Sequence, residues 1–105
     1  MERKMTTFAS NMVGDDIELL YDVVCKKFKK FKLFYRLVEE LSEDIKSLKY
    51  EFSSDTSLNV SITMDKGVNH DEIIKYLDEK IESSDLYTYN IVSEGKKIKI
   101  SIEAE

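Results

Sequence analysis

The sequence predicts an α+β fold, a two-layer sandwich in the order α-β-β-α-β-β with four mainly antiparallel strands and the helices on one face. Three observations carry this. Apolar residues recur at steps of three and four from Ile17 to Leu48, the spacing of a helix with one apolar stripe. Four later runs alternate apolar and polar residues, the period of half-buried strands. A second helical pattern with its own cap divides those runs into two hairpins.

The first helix is expected over about 15–48. Asp15 is placed to cap it, with Glu18 three residues on. Its apolar positions, Ile17, Leu20, Val24, Phe31, Phe34, Val38, Leu41, Ile45 and Leu48, match a heptad seam. Lys27 interrupts the seam, and Phe28 beside it is the substitute. With no proline or glycine between 15 and 52, the pattern reads as one helix, or as two with a kink near 29–32. Unbroken, it would be ~50 Å long, more than the width of so small a domain. Such a helix must bend, or project and meet a partner.

The first hairpin is predicted over 48–54 and 58–64. Leu48, Tyr50 and Phe52 share a face, as do Leu58, Val60, Ile62 and Met64, and Ser53-Ser54-Asp55-Thr56-Ser57 makes the turn. Pairing Phe52 with Val60, Tyr50 with Ile62 and Leu48 with Met64 keeps every apolar residue on one side. The second helix follows at 70–82, capped by Asn69, with Val68 and Ile73 as a hydrophobic staple and Ile73, Ile74, Leu77 and Ile81 on its inner face. The last hairpin, 86–92 with 97–103, turns at Ser93-Glu94-Gly95-Lys96. The expected pairs are Ile91 with Ile98, Tyr89 with Ile100 and Tyr87 with Ile102.

A chain of 105 residues is one domain, here with an N-terminal arm over 1–14. Charged residues make up 35 %, and the net charge is −5, which argues against non-specific binding to nucleic acid or acidic lipid. A single cysteine, Cys25, excludes an internal disulfide. With one histidine, His70, it leaves too few soft ligands for a tetrahedral zinc site. No run approaches the ~18 apolar residues of a membrane span, and the N-terminus lacks the apolar core of a secretory signal. A cytoplasmic protein without metal or cofactor is expected. The absence of proline and glutamine and the excess of lysine over arginine fit an AT-rich genome, such as that of a bacterium or its phage.

The stretch KKFKKFKLFY, residues 26–35, sets lysines among phenylalanines. On a helix the two types separate. Phe28, Phe31, Phe34 and Val38 form a candidate seam, core or partner interface. Lys26, Lys29, Lys30, Lys32 and Arg36 form a candidate interaction surface on the other side. A buried seam cannot also stack bases, so a solvated basic face is the first reading and a nucleic-acid surface the second. No catalytic residues are expected. His70 sits in a first helical turn, where the dipole disfavours its charged form. Cys25 lacks a partner for a relay. Asp15-Asp16 and Asp71-Glu72 stand where helix N-termini favour negative charge, and the three glycines are too scattered for a phosphate loop.

Residues 58–105 read strand–helix–strand–strand and close on VSEGKKIKISIEAE. In this order and ending the segment resembles the Pcc1 family, small non-catalytic subunits of the KEOPS tRNA-modification complex. The family pattern continues into a helix after the third strand. Here the N-terminal helix would have to fill that place. VSITM, NHDE and EGKK are also similar to the C-terminal domain of bacterial translation initiation factor three, a basic RNA-binding domain. The Pcc1 resemblance implies a dimer-forming, non-enzymatic subunit. The residues and the resemblance together lead to one expectation: a non-catalytic protein–protein interaction module, either a small complex subunit or a phage-type inhibitor of a larger protein, acting alone or as a homodimer. The alternative is an RNA-binding accessory module using the lysine face.

Overall fold

A computed structural model describes the backbone of Met12–Gly14 and residues 17–104. It is the predicted α+β two-layer sandwich: helices on one face of an antiparallel sheet. In chain order the elements are β1 (Met12–Gly14), α1 (Ile17–Lys26), α2 (Lys32–Glu40), β2 (Ile45–Ser54), β3 (Ser57–Met64), α3 (His70–Ser84), β4 (Tyr87–Glu94) and β5 (Lys97–Ala104). Short 3₁₀ turns at Lys29–Phe31 and Ser42–Asp44 flank α2. The strand order is β1-β2-β3-β5-β4, every neighbour antiparallel. A fifth strand, β1, thus lies within the expected N-terminal arm and borders β2. The predicted cap Asp15 lies outside the described residues.

Of the two readings of the first helical pattern, the structure takes the second, two helices broken near 29–32. The expected end near residue 48 needs correction, because the second helix stops at Glu40. The break falls at Lys27–Phe31, where Phe28 leaves helical geometry at φ −116° and ψ 55°. The physical reason is length. The strands beneath are eight to ten residues long, ~26–33 Å. A ~50 Å rod would carry part of its apolar stripe past the sheet into water. Folding back at the break lays both halves on the sheet.

Residues 45–48, expected to be helical, begin β2 instead. Ile45 pairs with Met64 and Leu48 with Ile62, and a register shift lies between Ile45 and Ser47. That irregularity lets Ile45, three residues before Leu48 on the chain, pack against the same core, a spacing that mimics a helical step.

Both hairpins form, with each register two residues from the expected one. Phe52 faces Leu58 and Tyr50 faces Val60. Ile91 faces Ile100 and Tyr89 faces Ile102. A two-residue shift preserves the face, so the same side chains point inward. Tight turns set the difference: Ser54 pairs with Ser57, and Glu94 with Lys97. In the second turn Gly95 has φ +65° and Lys96 no positive φ, the pattern of a II′ hairpin with glycine first.

The core lies between the helices and this inner face. Leu20, Phe31, Phe34, Val38, Phe52, Leu77, Ile81 and Ile98 are fully buried. Phe28 stacks on Phe52 at 3.8 Å between ring centroids, and Phe31 lies 5.5 Å from Phe52 and 5.8 Å from Tyr87. Where the heptad pattern offers Phe28, Phe31, Phe34 and Val38 as a seam for a partner, these residues pack inside their own chain. The outer face of the sheet is polar, with Lys49, Glu51, Asn59, Lys99 and Ser101 exposed.

Helix α3 links β3 to β4, which run in the same direction with β5 between them. It extends two residues beyond the expected end. Asn69 caps it as predicted, its side chain accepting from the backbone N–H of Asp71 at 2.9 Å and of Glu72 at 3.3 Å. Asp85 closes it in the left-handed region at φ 57°.

Candidate functional site

Breaking the first helix reshapes the lysine run. Lys29 and Lys30 lie on the 3₁₀ turn and Lys32 opens α2, so all three crowd one corner of the molecule. There they line a shallow depression with Leu33, Leu86 and Tyr87. The three lysines are exposed, and none is ion-paired among the described residues. Leu86, the residue before β4, is 51 % exposed in their midst. Tyr87 is buried beneath, and its hydroxyl donates to the Lys30 carbonyl at 2.6 Å, which ties the corner to β4. Burial holds the Tyr87 hydroxyl above its ordinary pKa.

The five predicted cations are therefore divided. Lys29, Lys30 and Lys32 come together. Lys26 is 3.3 Å from Asp22 on the preceding turn of α1, a surface pair that offsets its charge. Arg36 turns with Lys32 toward a cleft of about 640 Å³ between α1 and α2. Glu18 and Glu39 also line this cleft, so its charge is mixed. Tyr21 and Tyr35 meet there, ring centroids 5.2 Å apart. The half-buried Cys25 is beside them, and its hydrogen bond to Tyr21 raises that hydroxyl's pKa. The Tyr35 hydroxyl is raised by burial, then by the Glu39 charge.

His70 is far from this cleft in the chain, on the first turn of α3, with its Nδ1 3.1 Å from Ser93 Oγ on β4. Cys25 and His70 thus serve different elements and form no relay. Among the described residues no three of histidine, cysteine, aspartate and glutamate gather as a metal site, and no helix is long and apolar enough to cross a membrane.

Sequence reasoning missed Leu86. It opens the expected strand 86–92, and the alternation that sets Tyr87, Tyr89 and Ile91 on the inner face already turns it outward, a signal that went unused. The chain matches no known family model, curated protein or solved structure.

Proposed function

We propose that the chain is a non-catalytic binding module that docks on an acidic surface of a larger protein, using Lys29, Lys30 and Lys32 around Leu86. The observation that carries this reading is the corner itself. Three cations, none of them ion-paired among the described residues, line one depression with an exposed apolar side chain, on a chain whose net charge is −5. An apolar centre with a charged rim is the arrangement of a protein interface: the centre supplies burial, and the rim supplies steering and choice of partner. Either expected context, complex subunit or inhibitor, uses such a surface.

The alternative is RNA binding by the same lysines. It has the weaker support, because Phe28, Phe31 and Phe34 are buried and the outer face of the sheet carries no aromatic side chain among its exposed residues. That leaves the half-exposed Tyr21, in the cleft with Lys32 and Arg36, as an aromatic face near the cations.

Affinity capture at low and raised salt, with oligonucleotide retention measured in parallel, separates the two readings. Lys29→Glu/Lys30→Glu should abolish protein capture, and Leu86→Ala should weaken it while melting stays normal. Oligonucleotide retention that survives Leu86→Ala but falls with the double charge reversal and with salt would favour the RNA reading. Protein capture indifferent to all three substitutions would overturn the proposal.

A further inference from the structure

The sheet ends differently on its two sides. On one side the last strand is β1, only three residues long. On the other it is β4, eight residues paired with β5 on one side and with nothing on the other among the described residues. Half of its backbone N–H and C=O groups therefore point along the sheet plane into solvent. Proteins ordinarily protect such edges with lysine, proline, a bulge or a very short strand. β4 has none of these. Its sequence, YTYNIVSE, contains neither lysine nor proline, and its pairing with β5 runs without a shift from Tyr87–Ala104 to Glu94–Lys97. Its one charge, Glu94, is 2.9 Å from Lys99.

Helix α3 flanks this edge mainly with carboxylates. His70 touches Ser93 near one end of β4, and Tyr89 donates to Asp78 at the middle. Asp78, with Glu82 contributing, holds the Tyr89 hydroxyl at a pKa of about 12, so both carboxylates stand close above the strand. Asp71, seven residues before Asp78, lies on the same side of the helix, as does Lys75 between them, so this side carries three carboxylates and one ammonium. None of the three carboxylates is ion-paired among the described residues.

We propose that β4 accepts an extended segment of a partner protein as an additional antiparallel strand, and that the segment carries lysine or arginine at alternate positions. A strand added at the usual ~4.8 Å spacing would satisfy the open backbone groups. Its helix-side residues would project beneath Asp71, Asp78 and Glu82, and alternation confines the required charge to every second residue. The same carboxylates disfavour a second copy as the occupant. Antiparallel self-pairing about a two-fold axis normal to the sheet places α3 beside its symmetry mate and sets these acids against one another. This surface meets the lysine corner at Tyr87, where β4 begins, and is independent of the function proposed for that corner.

Amide-resolved NMR on the full chain tests this with two nine-residue peptides, one alternating lysine and valine and the other glutamate and valine. The lysine peptide should protect the rapidly exchanging amides of β4, and the glutamate peptide should not. Asp78→Asn/Glu82→Gln, which keeps the Tyr89 acceptor and the fold, should weaken the lysine peptide about tenfold. N-methylating that peptide on the edge that meets β4 should abolish binding while leaving its charge unchanged. The inference is overturned if the glutamate peptide binds as well, if the methylated peptide binds as well, or if the perturbed amides lie away from β4. It is equally overturned if no perturbation occurs at about millimolar peptide, or if β4 amides become protected with rising protein concentration alone.

Discussion

Helix α3 and the α1–α2 segment are both amphipathic, yet one begins where its sequence predicts and ends within two residues of the expected bound, and the other does not. α3 has local punctuation: Asn69 satisfies two backbone donors at its start, and Asp85 turns left-handed at its end. The break between α1 and α2 has no side-chain cap at Phe28 or at Phe31. What holds it is burial. Phe28 and Phe31 insert against Phe52 and Tyr87, from two distant strands. The lesson is that a helix boundary can be written in residues next to it, or in residues it meets only after folding.

Removing the tertiary support should have the largest effect. Phe31→Ala or Phe34→Ala empties a fully buried aromatic site and is expected to cost ~3–5 kcal/mol. That is a large share of the ~5–15 kcal/mol stability of a typical domain. Denaturant unfolding measures it. A loss below about 1 kcal/mol in both variants would mean that the break is held locally after all.

Local determinants should cost less. Gly95→Ala forces a Cβ into positive φ with open space around it, so the expense is conformational alone, ~1–2 kcal/mol, and the denaturation midpoint should fall accordingly. Asn69→Ala removes the α3 cap and is expected to cost about 1 kcal/mol, with faster hydrogen exchange confined to the first turn of α3. If Asn69→Ala instead accelerates exchange across α1 and α2, the two regions are coupled more tightly than the contrast allows.

The smallest effect is alkaline. The Tyr89 hydroxyl, bonded to Asp78, titrates at about 12 in the native protein and at about 10 unfolded. The native state therefore holds the proton more tightly. Its contribution is complete below pH ~10 and is lost as pH rises toward ~12. Tyr89→Phe should make the fall in melting temperature over that window shallower, without removing it, because Tyr21, Tyr35, Tyr76 and Tyr87 are also raised.

Strand faces, both hairpins and α3 were legible because each rests on near neighbours. Alternation assigns Leu58, Val60, Ile62 and Met64 to one face whatever the partner. Register was less so, since the same faces persist under a two-residue shift and only turn length decides between them. The start of β2 was hidden by its irregularity at Ile45–Ser47. Of the candidate site, the lysines were visible as residues. Their division, with Lys26 paired to Asp22 and Arg36 turned into the cleft, depends on where the helix breaks. The acidic flank of β4 depends on the placement of α3, which no short window contains.

The place of β5 between β3 and β4 also shapes how the molecule assembles. Each hairpin closes within a few residues of chain, but joining β3 to β5 brings Thr63 to Lys97 across an intervening helix and strand. This junction is the non-local step, and its entropic cost precedes its reward. Refolding should therefore be slowed by trimming Ile62 or Ile98, which face one another at the junction, whereas loss of the Asn69 cap should chiefly speed unfolding. Stopped-flow folding arms for Ile98→Val and Asn69→Ala would separate the two. The sheet would then behave as two quickly made halves waiting on a single slow seam.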